Sequence, residues 1–210
     1  MSVITASGTD YHDLSTSLVE VGRQAFAQGW VPATSGNFSA RVDDTAIAIT
    51  VSGTHKGHLS PTDIMLVDSD GASMDDRRPS AETLLHTWIY QWRNDINAVL
   101  HTHSVGSTVL SRISNDKVII DDFEVLKAFE GIATHNTQIV IPVFPNDQDI
   151  ERLANLAGKY LLDHPAVPGY LICGHGLYTW GDSIATALRH LEAFEFIFDC
   201  MLTMRGMNQT

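Results

Sequence analysis

The sequence predicts an α/β fold, with helices laid on the faces of a mixed or antiparallel sheet. Three observations lead there. Short apolar runs of strand length, such as residues 96–100 and 170–173, alternate along the chain with longer stretches of helical period. No repeat, low-complexity segment or linker breaks the pattern, so residues 1–210 read as one domain. Hydrophobic residues make up 44% of the 210, which is enough for a full core.

Residues 10–29 read as the first helix. Leu14, Leu18, Val21 and Ala25 fall on one apolar face, and Gly29 ends it. Thr34-Ser35-Gly36-Asn37-Phe38-Ser39-Ala40-Arg41 follows. Its small residues let the backbone turn tightly and approach a ligand, and Asn37 offers an amide that donates to an anion. An ordinary turn into a strand fits the same residues. Residues 46–51 alternate as a strand and run into Ser52-Gly53-Thr54-His55-Lys56-Gly57. Hydroxyls, backbone N–H groups and a lysine make this a phosphate cradle or a solvated loop; the Walker spacing is absent. Ser60 and Pro61 look like a helix start. Residues 64–67 return to strand, and 68–79 form a polar surface hairpin or loop.

Pro79-Ser80-Ala81-Glu82 opens the second clear helix, with Ser80 as its cap and Leu85, Trp88, Ile89 and Trp92 as its buried stripe. Glu82 in the first turn suits the helix dipole. It equally suits a carboxylate aimed at a metal, or a pair with His86 four residues on. Residues 96–100 are a buried strand that ends in His101-Thr102-His103. Side chains on a strand alternate, so both imidazoles leave one face. They make either a pair of hydrogen-bonded strand-end histidines or two ligands suited to Zn²⁺ or a similar metal.

Residues 104–112 read as helix and 117–120 as strand, followed by the acidic run Asp121-Asp122-Phe123-Glu124. This run is either solvated or carries a carboxylate into a site. Residues 138–143 are a strand that stops at Pro145. Residues 147–162 are an amphipathic helix with Ile150, Leu153, Ala154, Ala157 and Leu161 inward. The apolar strand 170–173 ends in Gly174-His175-Gly176. A histidine between glycines has backbone freedom and little cover, which suits a third ligand as well as a plain glycine turn. Residues 177–182 lead to a last helix, 183 to about 204, with Ala187, Leu191, Phe194, Phe198 and Met201 inward.

The formal net charge of −12 argues against nucleic acid and anionic membranes as partners. It leaves room for a small phosphorylated substrate held by a local cluster of donors. Cys173 and Cys200 lie in apolar surroundings and read as buried free thiols in a reducing compartment. Met1 to Thr5 shows no basic region ahead of an apolar block, and no apolar run is long enough to span a bilayer. A soluble, cytoplasmic protein is expected.

Five pieces of the chain, in order, carry a family likeness: Ser35 to Arg41, Ser52-Gly53-Thr54, Pro79 to Glu82, His101 to Ser104, and Gly174-His175-Gly176. Together they resemble the class II, metal-dependent, aldolase and adducin family. The resemblance implies a three-layer α/β/α sandwich around a largely antiparallel sheet, assembled as a homotetramer with the site near a subunit interface. It implies one divalent metal per subunit on His101, His103 and His175. Imidazole ligands favour Zn²⁺ but also accept Mn²⁺, Fe²⁺ or Co²⁺. A sugar phosphate would rest its phosphate on Asn37, Ser52, Gly53, Thr54, Lys56 and Ser80.

Within the family, Phe38 to Arg41, Val51 to Gly57 and Gly174 to Gly181 are most similar to the branch that dehydrates a methylthio-bearing ketose 1-phosphate. Residues 120–127 resemble the segment that carries that branch's acid/base glutamate, although only Glu124 and Lys127 match well. The resemblance thus makes Glu124 the acid/base. Glu82, which aligns with the carboxylate of the aldolases, is its rival. Tyr178 and Trp180 are candidates for the pocket of the methylthio end. Dehydratases, aldolases and pentulose-phosphate 4-epimerases share a metal-stabilised enediolate; the latter two break C3–C4 where a dehydratase breaks C4–O. Cytoskeletal binding modules with this fold lack the histidines, and all three are present here.

Overall fold

In the computed structural model, which describes residues 11–207, the strands are β1 (Asn37–Arg41), β2 (Ala46–Thr50), β3 (Ile64–Asp68), β4 (Ala98–Thr102), β5 (Lys117–Asp121), β6 (Gln138–Phe144), β7 (Gly169–Ile172) and β8 (Gly176–Gly181). The reading of Met1 to Thr5 lies outside the described residues. The eight strands pair in the order β3-β2-β1-β4-β8-β7-β6-β5. All neighbours are antiparallel except β6 and β7. The helices are α1 (Tyr11–Ala27), α2 (Thr83–Trp92), α3 (Val105–Ile113), α4 (Ile150–Asp163) and α5 (Ile184–Met207).

The central strands of the sheet are buried on both faces, as their apolar sequences require, while the edge strand β5 leaves one face exposed. One core joins Leu18 and Val21 of α1, Leu110 of α3 and Leu191, Phe194 and Phe198 of α5. The other joins Leu85 and Ile89 of α2 to Leu153, Ala157 and Leu161 of α4. This makes an α/β/α sandwich. No helix among the described residues is long and apolar enough to cross a membrane.

The strand directions gather the candidate residues at one end. β4 finishes there with His101, and the antiparallel partner β1 starts there with Asn37, directly opposite His101. β2 ends there and releases the Ser52–Gly57 loop. β7 runs the same way as β4, so its turn delivers His175 to the same end. Two glycines let these pieces close up. A Cβ on Gly36, whose φ is +77°, would sit 2.7 Å from the His101 carbonyl oxygen. One on Gly176 would sit 1.9 Å from that of Thr102.

Several local expectations shift. α2 starts at Thr83, not at Ser80. The Ser80 hydroxyl accepts from the Glu82 N–H at 3.3 Å and its carbonyl from the Thr83 N–H at 3.1 Å, so Ser80 holds a turn ahead of the helix. The helix then buries His86 and Tyr90 alongside Leu85 and Ile89, and leaves Trp88 and Trp92 half-buried. Residues 176–181, unassigned by period, form β8, whose side chains are buried on both faces and so show no alternation. The start at Ser60 yields one 3-10 turn, Pro61–Asp63, closed by Asp63 accepting from the Ser60 N–H at 2.8 Å. Cys173 and Cys200 are free, but half-buried instead of buried.

Candidate metal centre

Among the described residues, Glu82, His101, His103 and His175 bring one ligand atom each to within 4.8 Å of one another. The Nε2 atoms of His101 and His103 are 2.8 Å apart, those of His103 and His175 3.0 Å, and those of His101 and His175 3.3 Å. Glu82 Oε1 lies 3.0 Å from His175 Nε2, and Oε2 lies 3.5 Å from His101 Nε2. The pleat sends His101 and His103 to the α2 face, and the last turn before α2 drops Glu82 onto them. The His103 N–H donates to the Trp30 carbonyl at 2.8 Å, which pins the chain just beyond β4.

The tautomers follow from the outer partners. His101 Nδ1 faces the Leu177 carbonyl at 2.9 Å, and a carbonyl only accepts, so Nδ1 carries the proton. His175 Nδ1 faces Asn146 Oδ1 at 3.2 Å, with the same consequence. Both Nε2 atoms therefore turn lone pairs inward. Burial pushes His101 down to about 4, against the pull of Glu82. Burial and the neighbouring imidazoles push His103 down to about 3. Burial also penalises the Glu82 charge, but His101, His175 and Asn37 outweigh it and hold the carboxyl well below its usual range. The His101 and His175 lone pairs, the His103 ring nitrogen and the Glu82 carboxylate converge on one point. A divalent cation satisfies them all, and the N₃O set suits Zn²⁺ and its neighbours. The His101 ring is fully buried and stacks on Tyr178 at 3.9 Å.

The other candidates divide. Ser52 and Gly53 are at this end and both exposed, while Thr54 and Ser80 are half-buried. Lys56 is 2% exposed, and its Nζ donates to the Thr34 and Thr54 carbonyls at 3.2 and 2.7 Å, leaving one proton to give. Burial lowers it to about 8, with the Glu82 charge acting the other way. Asn37 gives one Nδ2 proton to Glu82 at 2.7 Å and turns its Oδ1 to His86, which leaves its second amide proton to give. His86 accordingly bonds Asn37, not Glu82.

Glu124 is not brought to the histidines within one chain. It follows β5, four strands or about 19 Å across the sheet from β4. Because β5 runs opposite to β4, it also lies at the far end. There it is exposed and paired with Lys127 at 2.6 Å and His135 at 3.5 Å. Tyr178 and Trp180 do not line a cleft at the histidine end either. Both are core, Tyr178 under His101 and Trp180 against Trp92 and Tyr170.

Sequence reasoning missed Asn146, and it missed Ser39 and Tyr90, whose hydroxyls join His86 behind Asn37. The i,i+4 spacing of Glu82 and His86 was their one signal.

Fold and donor set together define a protein built to hold a divalent metal at one end of an α/β/α sandwich. The chain belongs to the class II aldolase and adducin family, whose N-terminal domain model matches residues 16–202. It is 57% identical over 201 residues to a methylthioribulose-1-phosphate dehydratase of Methylococcus capsulatus, covering 96% of this chain and 98% of that one. It is 53% identical over 196 residues to the protein of the same name from Azotobacter vinelandii, covering 92% and 95%. Among solved structures, the L-fuculose-1-phosphate aldolase of Thermus thermophilus superposes with a TM-score of 0.76 at 24% identity, covering 95% of this chain and 99% of that one. At that identity the likeness is one of fold.

Proposed function

We propose that this chain is a metal-dependent hydro-lyase. It converts 5-methylthioribulose 1-phosphate to 2,3-diketo-5-methylthiopentyl 1-phosphate and water, a step in methionine salvage. The observation that carries this reading is the 50–57% identity, over nearly the whole chain, to relatives that bear that dehydratase name. The three-histidine cluster supports it. Residues 1–210 act as one catalytic domain in the cytoplasm, assembled as a homotetramer.

The phosphate is held by Asn37, through its second amide proton, and by Ser52, Gly53, Thr54 and Ser80, with the remaining Lys56 proton donating to it. His101, His103 and His175, with Glu82 beside them, would hold a divalent metal, Zn²⁺ in our reading, which would supply Lewis acidity to the C2 ketone and so make the C3 proton more acidic. Glu82, 3.0 Å from His175 Nε2, faces the cluster with its carboxylate. Glu124 moves the protons. It takes the C3 proton and gives it to the C4 hydroxyl, which leaves as water, and the enol across C3 and C4 ketonises to the diketone. A neighbouring copy supplies Glu124, since its own chain holds it at the far end. The methylthio end takes the cleft of about 680 Å³ beyond His175, where Val109, Ile113, Pro145 and Cys173 are apolar.

Product analysis tests the reading. Metal-loaded protein given 5-methylthioribulose 1-phosphate yields the diketone; an aldehyde with dihydroxyacetone phosphate and no diketone would make it an aldolase instead. Lys56 gives a pH signature. Its charge is present below about pH 8 and lost above it. KM is therefore expected to rise as pH passes that value. Lys56→Met should raise KM by about tenfold or more at neutral pH and flatten the profile, since a hydrogen bond to a charged group contributes about 1.5–3 kcal/mol. An unchanged KM in the variant removes Lys56 from the phosphate site.

A further inference from the structure

Behind Glu82 lies a run of buried polar side chains. Tyr90 Oη lies 2.9 Å from Ser39 Oγ, Ser39 Oγ lies 2.7 Å from His86 Nδ1, His86 Nε2 contacts Asn37 Oδ1, and Asn37 Nδ2 lies 2.7 Å from Glu82 Oε2. Tyr90, Ser39, His86 and Asn37 are all at most 4% exposed. A buried run of polar groups is costly unless every member is satisfied.

The direction of each bond is determined by chemistry. The ionised Glu82 only accepts, so the atom facing it is the Asn37 amide nitrogen. That turns the Asn37 oxygen to His86, so His86 Nε2 carries the proton. Burial keeps the imidazole neutral, pushing it down to about 3, so Nδ1 is an acceptor. The Ser39 hydroxyl must then donate to Nδ1, and its own oxygen accepts from Tyr90, whose phenol burial keeps protonated. Every donor points toward Glu82. Arg41 anchors the far end, donating to the Tyr90 and Ile96 carbonyls at 2.9 and 3.0 Å with its guanidinium over the Tyr90 ring.

We propose that Tyr90, Ser39, His86 and Asn37 form a one-way chain of hydrogen bonds that fixes the orientation of Glu82 in the metal cluster, with His86 as the positioning residue. Without His86 nothing holds the Asn37 oxygen back, the amide is free to flip, and an acceptor then faces the Glu82 carboxylate. The inference rests on Glu82 belonging to the cluster.

The test reads metal affinity, by competition between the whole protein and a chelator for Zn²⁺, alongside the ¹⁵N spectrum of His86. His86→Leu is expected to weaken Zn²⁺ binding by about 10–100-fold, the usual loss when an outer partner of a metal ligand is removed. His86→Gln, which returns an N–H donor toward Asn37, is expected to recover most of it. In the metal-free wild type, His86 Nδ1 should resonate as the unprotonated nitrogen and Nε2 as the protonated one. Affinity within about twofold of wild type in His86→Leu, no recovery in His86→Gln, or the opposite tautomer each overturns the proposal. Should His86→Leu fail to fold, Ser39→Ala decides. A mixed tautomer with weaker Zn²⁺ binding supports the chain, and wild-type affinity with an unchanged tautomer overturns it. Glu82→Gln separates the two readings. If it leaves affinity unchanged, Glu82 is no member of the cluster; if it weakens binding and His86→Leu does not, only the chain fails.

Discussion

Replacing His101 with alanine is expected to strip the site of its metal and to lower turnover by about a thousandfold or more, the several kcal/mol that Lewis-acid stabilisation contributes. His101 has the least room for compensation. Its ring is wholly buried between Tyr178 and the other ligands, and its Nδ1–H is fixed by the Leu177 carbonyl. Among the described residues the rest of the cluster is His103, His175 and Glu82, so the loss leaves two imidazoles. Metal content by elemental analysis and kcat with the diketone assay should fall together. Retention of both would show that the cluster is not where the chemistry occurs.

Glu124→Gln is expected to lower kcat by about 10²–10⁴-fold, the usual contribution of a positioned acid/base, and to leave metal content unchanged. The amide is nearly isosteric, and on its own chain Glu124 is exposed and paired only with Lys127 and His135, so the fold has little to lose. The location makes a sharper demand. If a neighbouring copy supplies Glu124, then a mixed assembly of His101→Ala chains and Glu124→Gln chains contains sites with both residues intact, and turnover returns. Two inactive variants that stay inactive when mixed would place the acid/base within one chain. Full activity in Glu124→Gln would pass the role to Glu82.

These two residues also mark how far the sequence can be read. The histidine pair is legible because a strand repeats every two residues, so His101 and His103 have to share a face. His175 is legible because its glycine neighbours end an apolar run. Glu124 is found by likeness alone. A one-dimensional pattern does not say which end of the sheet a strand reaches, and β5 runs the wrong way to deliver it within the chain. β8 escapes notice because a strand buried on both faces shows no alternation. Asn37 reads as an anion donor because a free amide in a small-residue turn offers that. What the sequence does not show is that Glu82, 45 residues on, takes one of its two amide protons. The chain behind it links Ser39 to His86 across 47 residues, and only the pairing of β1 beneath α2 brings them together. Local chemistry therefore identifies the ligands, while the partners that orient them need the fold.

The most direct measurement is a metal titration of turnover. Chelator-stripped protein is supplied with 5-methylthioribulose 1-phosphate and increasing divalent metal, and diketone is followed. Diketone formation should be absent without metal, rise in proportion to the ion added, and level off at about one ion per chain, as one such cluster per chain requires. Turnover by the stripped protein, or a plateau with no diketone among the products, would contradict a metal-dependent dehydration at His101, His103, His175 and Glu82.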